Sequence, residues 1–225
     1  MDNIKRKKYH RTYHVDWSKG VQSDDKVNKD LSHFKGKIIT VSEKMDGECT
    51  SMYSDINGMH ARSTSSVTNW TRDWCKKLQI SIMQDIPEGY RFVGENMFGE
   101  HSIRYDDLES YFYLFSIWND KNECLSWDET LEWAEILDLA TPKVFYRGIY
   151  DEKVLKELAE SIDTDICEGY VIRTVEGFHY DESSKHIAKW VREGHVQTNE
   201  HWLKNTKPNG LKDGIIKPDY MRKNK

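Results

Sequence analysis

Glu43-Lys44-Met45-Asp46-Gly47-Glu48 closes a run, Gly36 to Lys44 (GKIITVSEK), whose Ile38, Ile39 and Val41 give it the β-branched character of a strand. A lysine at that point sits at the rim of a sheet on a rigid support. To act as a nucleophile its amine has to be neutral, and a neighbouring cation or desolvation lowers its pKa toward that state. Gly47 lets the chain turn sharply and lets a ligand approach the backbone. Taken alone, Lys-x-Asp-Gly has one free position in four and is more often an ordinary surface turn.

Working outward, Cys49 to Ser54 and Met59 to Ser63 read as strands around Asp55-Ile56-Asn57-Gly58, and the Asn57-Gly58 pair predicts a hairpin. Asn69 to Ile86 reads as a helix, with Trp74, Leu78 and Ile82 on one face, ended by Pro87-Glu88-Gly89. Tyr90 to Glu95 and Tyr111 to Trp118 read as strands. Ser126 and Glu129 form a capping box that opens the next helix. A strand at Lys143 to Arg147 and a helix at Glu152 to Ser161 follow, then strands at Cys167 to Thr174 and His186 to Arg192. Strands punctuated by three helices predict an α+β fold with mostly antiparallel pairing.

Three more clusters carry chemistry-bearing residues. Gly94-Glu95 ends a strand, where a carboxylate can accept hydrogen bonds from ribose hydroxyls. Glu168-Gly169-Tyr170-Val171-Ile172-Arg173 sets an acid and a glycine before a strand, and a carboxylate beside a phosphate site implies a divalent metal between them. Lys189 interrupts the apolar pattern of Lys185 to Arg192 (KHIAKWVR). A lysine aimed at a phosphate would account for it, and so would an edge-strand lysine that blocks aggregation. Each cluster alone is compatible with a surface acid, a turn or an edge.

The chain has 225 residues, enough for one sizeable core, and its 12% aromatic content supplies apolar area that 37% hydrophobic residues would otherwise leave thin. No apolar run is long enough to span a bilayer, and the basic N-terminus lacks the apolar segment of a secretory signal. Cys49, Cys75, Cys124 and Cys167 are scattered, which excludes a zinc ribbon and a disulfide scaffold and makes a reducing cytoplasm the expected compartment. The net charge of −5 hides basic ends: Lys5, Arg6, Lys7, Lys8 and Arg11 at one, and at the other Lys204 onward. Such ends can contact phosphates or simply be solvated and frayed.

Together the clusters resemble the covalent nucleotidyltransferases: ATP-dependent DNA ligases, RNA ligases and mRNA capping enzymes. Lys44-Met45-Asp46-Gly47 resembles their nucleophile motif, and His60-Ala61-Arg62-Ser63 the arginine-containing strand after it. Gly94-Glu95, the aromatic strand at Tyr111 to Trp118 with Phe115 as its stacking residue, Glu168-Gly169 and Lys189 resemble the motifs that follow. Gly94-Glu95-Asn96 with His101-Ser102-Ile103-Arg104-Tyr105, and the leading Arg11-Thr12-Tyr13-His14 with Trp17-Ser18, are most similar to the RNA ligase branch.

The resemblance implies a nucleotidyltransferase (ATP-grasp-like) domain over residues 1–203, a basic C-terminal tail over 204–225, and no separate OB or C-terminal domain. It implies that Lys44 attacks the α-phosphate of ATP, that Lys189 binds that phosphate and helps lower the Lys44 pKa, and that Mg²⁺ or Mn²⁺ is placed with help from Glu168. Glu43, Glu95 and Phe115 would complete the nucleotide site, with Glu95 on the ribose and Phe115 on the adenine. Arg62 would contact the phosphate or the incoming 5′ end. The last motif usually carries a second lysine two residues on, where this chain has Val191; Lys185 or Arg192 is expected to supply the charge and to contact nucleic acid. The implied partner is RNA with 5′-phosphate and 3′-OH ends, sealed by a monomer, with a further protein for end recognition or healing in RNA repair. A DNA ligase, a capping-type enzyme using GTP, and a non-catalytic nucleic-acid-binding module are the alternatives.

Overall fold

The computed structural model describes residues 6–65, 69–194 and 206–213. Two six-stranded sheets lie face to face. Numbered along the chain, the first runs from edge to edge as β2 (Val27–Asn28), β1 (Tyr13–Val15), β12 (Ile187–Val191), β10 (Gly169–Thr174), β3 (Ile38–Glu43) and β9 (Val144–Ile149). The second runs β11 (Phe178–His179), β8 (Glu123–Cys124), β7 (Phe112–Trp118), β6 (Arg91–Asn96), β4 (Glu48–Met52) and β5 (Met59–Ala61). All pairs are antiparallel except β1 with β12 and β1 with β2. The expected α+β fold is therefore present.

Alternation along each strand builds the layers. Ile39, Val41, Tyr170, Ile172 and Trp190 pack outward from the first sheet against Leu155 of α3 (Glu152–Ser161). Their neighbours Ser42, Val171, Arg173, Ile187 and Lys189 turn inward. On the second sheet Met52, Phe92, Phe112 and Leu114 pack outward against Cys75 and Ile82 of α1 (Asp73–Ile82) and Ala134 of α2 (Trp127–Ile136). Between the sheets Val93, Trp118, Cys124 and Phe178 meet Ile187. The buried Arg173 guanidinium crosses this layer, donating to the carbonyls of Phe115 at 3.3 Å and Leu125 at 2.8 Å. One side chain of the first sheet thus fastens the second, and fixes the width of the gap between them.

Local expectations hold where local chemistry decides. Ser126 and Glu129 form the capping box of α2, and the β4–β5 hairpin is present. The helix expected over Asn69 to Ile86 is shorter: Asn69 caps a 3₁₀ turn at Trp70–Arg72, and α1 stops at Ile82, where Asp85 N bonds Ile82 O at 2.9 Å in the tighter i−3 pattern. β1, β2, β8 and β11 were not expected. Each has two or three residues, too few to show a period, and each is held by partners distant in sequence.

The N-terminus is not loose charge. Arg6 pairs with Asp55, and Arg11 with Asp24 at 3.3 Å. Residues 206–213 of the expected basic tail pack on the loop between β6 and β7, where Gly99 pairs with Pro208 and Leu108 with Leu211. Lys5, Lys204, Lys217, Arg222, Lys223 and Lys225 lie outside the described residues. Among the described residues no helix is long and apolar enough to cross a membrane, and the four cysteines are free thiols.

Candidate active site

Lys44 follows β3 directly, and its backbone N–H donates to Gly169 O at 2.9 Å, so the nucleophile motif is stitched to the start of β10. The Lys44 amine, 24% exposed, is ion-paired with the buried Glu168 carboxylate 124 positions away. Gly169, next to Glu168, allows β10 to approach β12 closely. A Cβ there would lie 2.1 Å from the Trp190 carbonyl oxygen, and its φ of +153° is one that side chains rarely adopt. Gly169→Ala should therefore push β10 from β12 and cost about 1–3 kcal/mol of stability, read as a lower urea midpoint.

Asp46 is fixed rather than solvated. Its Oδ2 accepts from Ser102 N at 2.7 Å, Ser102 Oγ at 2.7 Å and Ile103 N at 2.8 Å, all from the β6–β7 loop. Gly47 is needed for close approach, since a Cβ would meet Asn96 O at 2.5 Å. Glu48 accepts at 2.5 Å from both Nε and Nη2 of the Arg72 guanidinium. The motif is clamped on every side but one.

That open side faces a cavity of about 290 Å³ between the sheets. Glu43, Lys44, Arg62, Glu95, Phe115 and Lys189, six of the residues singled out in the sequence, line it together. Lys189 arrives by register: it lies opposite Val171 on β10, which lies opposite Ser42 on β3, so three inward side chains stand in a row. Phe115 arrives by irregularity. Val93 pairs with Ser116 and Gly94 with Leu114, which leaves Phe115 as the extra residue of a β-bulge. A bulge re-aims a side chain, here into the cavity, where Tyr9 meets its edge at 5.5 Å.

The charges do not sit as expected. Burial pulls the Lys44 pKa down, but Glu168, Glu95 and Asp46 outweigh it, and the pKa is raised. Lys189 does not lower it on balance, because the carboxylate in contact outranks the more distant cation. Lys189 is the depressed lysine instead, at about 8, through burial and then the Lys44 charge. Glu95 is raised to about 8, by burial first and then by Glu168 and Asp46 against the pull of Lys44.

A carboxylate with a raised folded pKa binds protons that the unfolded chain has already lost, so its contribution to stability falls as pH rises from the unfolded value near 4.5 through about 8. Glu95→Gln removes this loss. The ligand-free variant should melt with the wild type at pH 4.5 and above it at pH 8.5; equal melting temperatures at both would refute the assignment.

Lys185 and Arg192 lie elsewhere. Lys185 is 61% exposed and pairs with Glu182 at 3.2 Å, off the cavity wall. Arg192 turns toward the Asp46 clamp, with Nη2 at 3.2 Å from Ser102 Oγ, while Val191 is buried in the sheet. Lys185 therefore does not stand in for the missing second lysine at the cavity. The cavity also has walls that no motif indicated: Tyr9, His10, Thr12 and Asp25 come from the N-terminal segment, whose only trace in the sequence was the Arg11 to His14 resemblance.

Among the described residues no group of three acids, histidines or cysteines forms a closed metal cage. A hard divalent cation that keeps its waters and takes phosphate oxygens needs only one or two carboxylates. Glu168 and Glu95 at the Lys44 amine fit that requirement, while Asp46 has Oδ2 occupied by three donors.

Comparison with known proteins bears on this geometry. A sequence model described as RNA ligase matches residues 37–191, from the strand before Lys44 to the end of β12. The chain belongs to the RNA ligase family. Its fold is similar to that of Naegleria gruberi RNA ligase: one structure, with ATP and Mn, aligns over 84% of this chain and 61% of that one at a TM-score of 0.54 and 15% identity. An apo structure aligns over 72% and 51% at a TM-score of 0.52 and 17% identity. A third, with AMP and Mn, aligns over 72% and 52% at 0.53 and 17%. The chain thus spans a little over half the length of these relatives. No curated protein matches it. In this RNA ligase family member the matched segment contains Glu43, Lys44, Arg62, Glu95, Phe115, Glu168 and Lys189, and omits the N-terminal wall, Arg192 and residues 206–213.

Proposed function

We propose that the protein is an ATP-dependent RNA ligase that works through a Lys44–AMP intermediate and joins 5′-phosphate to 3′-OH ends. The observation that carries this reading is the convergence of Lys44, Glu95, Phe115 and Lys189, drawn from four strands or their ends, on one cavity, with Glu168 bonded to the amine. A binding module needs phosphate contacts and stacking but has no use for a clamped lysine among carboxylates. Two of the Naegleria structures named above hold ATP or AMP with Mn, which favours the same nucleotide and a divalent ion here.

Adenine fits between Phe115 and the apolar side chains of the first sheet, and Glu95 accepts from the ribose hydroxyls. Lys189 places its ammonium on the α-phosphate. Lys44 first gives one ammonium proton to Glu168 Oε2, already its partner. The neutral Nζ then forms a bond to the α-phosphorus as the bond to pyrophosphate breaks, and its second proton leaves to the departing pyrophosphate or to water. Glu168 and Glu95 would hold a divalent cation, which would supply positive charge against the triphosphate. In the second step an RNA 5′-phosphate displaces Lys44 from the adenylate, and in the third a 3′-hydroxyl displaces AMP. Arg62 on the cavity rim is placed to meet the incoming phosphate.

The ligand-free site holds Lys44 as its ammonium, since its pKa is raised. ATP is itself anionic, so the charges of Lys189 and of a divalent cation would have to offset the carboxylates before the amine is nucleophilic. The test is incubation with ATP or GTP labelled at the α-phosphate, a denaturing gel, and mass spectrometry of the Lys44 peptide. Label from ATP on Lys44, followed by sealing of a nicked duplex with RNA 3′-OH ends, supports the reading. Label from GTP alone, or from neither, overturns it.

A further inference from the structure

The segment 207–212 lies beyond the last strand, outside every motif, yet it is densely hydrogen-bonded. Asn209 is 3% exposed and uses every polar group it has. Its N–H donates to Phe98 O at 2.9 Å, and its carbonyl accepts from Tyr111 Oη at 2.8 Å. Its side-chain oxygen accepts from Tyr105 N at 3.0 Å, and its Nδ2 donates to Met97 O at 2.8 Å and Gly99 O at 3.3 Å. On either side Glu100 N bonds Lys207 O, Gly210 N bonds Tyr105 O, and Leu108 and Lys212 exchange a further bond. Leu211 adds an apolar contact, packing with Met45, Phe98, Ile103 and Leu108.

All of these partners but Met45 belong to one loop, residues 97–111, between β6 and β7. That loop has no ladder of its own to hold it. It is also the loop whose Ser102 and Ile103 give three hydrogen bonds to one oxygen of Asp46, two residues from Lys44, and whose Tyr105 Oη accepts from Asp46 N at 3.3 Å. Arg192, from the end of β12, reaches the same Ser102. Donors that converge on one carboxylate oxygen need their loop held in place, and the C-terminal segment bonds that loop at Met97, Phe98, Gly99, Glu100, Tyr105, Leu108 and Tyr111.

We propose that Asn209 is a positioning residue for the first chemical step: by bracing loop 97–111 it sets Asp46, and through Asp46 the attack geometry of Lys44. This rests on the reading that Lys44 is adenylylated. It gives the C-terminal segment a role distinct from RNA contact, because a segment that only tracks RNA affects sealing and salt dependence, whereas a brace affects AMP transfer before RNA is present.

The experiment is single-turnover transfer of AMP from ATP to the full chain without RNA, comparing wild type with Asn209→Ala, Ser102→Ala and the double variant. The rate constant should fall on the order of tenfold or more in Asn209→Ala, as expected for disturbing hydrogen bonds to a charged group. The ATP concentration for half-maximal rate should change less than about threefold, since the Phe115 and Lys189 walls belong to other elements. The two substitutions should be non-additive, because both act through the Asp46 clamp. A purely structural role would lower the labelled fraction and leave the rate constant of the folded fraction alone. Asn209→Asp, near-isosteric and keeping the Oδ1 acceptor, serves if the alanine variant does not fold. An unchanged rate constant in a folded variant, or strict additivity, overturns the proposal. A wild type that never takes up AMP overturns instead the function on which it rests.

Discussion

Replacing Lys44 with methionine should abolish the protein–AMP adduct at every pH and ATP concentration. Methionine keeps the length and most of the volume of lysine but carries no nucleophilic nitrogen, so the covalent route is removed rather than slowed. A residual adduct would have to sit on another residue, and mass mapping of the peptide would show it. A labelled Lys44→Met protein would defeat the account of the whole site.

The same substitution should expose the electrostatic bargain of the ligand-free enzyme. Glu168 is 4% exposed, and burial raises its pKa against the pull chiefly of Lys44, with Lys189 behind it. Without Lys44 that pKa rises further. The folded state then binds a proton that the unfolded state releases near 4.5, so the stability of the variant falls relative to wild type as pH climbs above that value. Loss of one partner of a buried ion pair costs up to about 3–5 kcal/mol. Melting temperatures near parity at pH 4.5, clearly lower at pH 8, and restored by a second change, Glu168→Gln, are the expected pattern. No pH dependence in the difference would mean that Glu168 is better solvated than its position implies.

Lys189→Met should separate activity from stability in the opposite way. Removing one preorganised positive group from a developing phosphate charge costs about 10²–10³ in rate, and AMP transfer should fall by that much, with ATP binding weakened as well. Folding should not suffer. Lys189 is charged against the resistance of burial and of Lys44, which hold its pKa at about 8, below its ordinary 10.5. A depressed lysine releases its proton in the folded state first, so wild-type stability should rise between about pH 8 and 10.5, and that rise should be missing in the variant. A rate within tenfold of wild type would remove Lys189 from the phosphate.

Much of this was readable in the chain. Ser126 with Glu129, the β-branched run before Lys44 and the apolar face of α1 signal themselves through contacts a few residues apart, and they formed as read. The motif order also placed six cavity residues, because each motif ties a reactive side chain to a strand end. The short strands β1, β2, β8 and β11 could not be read, since a two- or three-residue strand exists only by virtue of a partner far along the chain.

By itself the sequence determined which side chains are available for chemistry, and on which elements. Tertiary structure alone decided three things: that the bulge turns Phe115 into the cavity, that Lys44 meets Glu168 closely enough to be held as a cation, and that Asn209 braces the loop that grips Asp46. The reason lies in range. Propensity and capping act over one or two turns of chain, while a pKa, a cavity wall and a clamp depend on distances between residues 50 to 170 positions apart, which are fixed only when the two sheets close on each other.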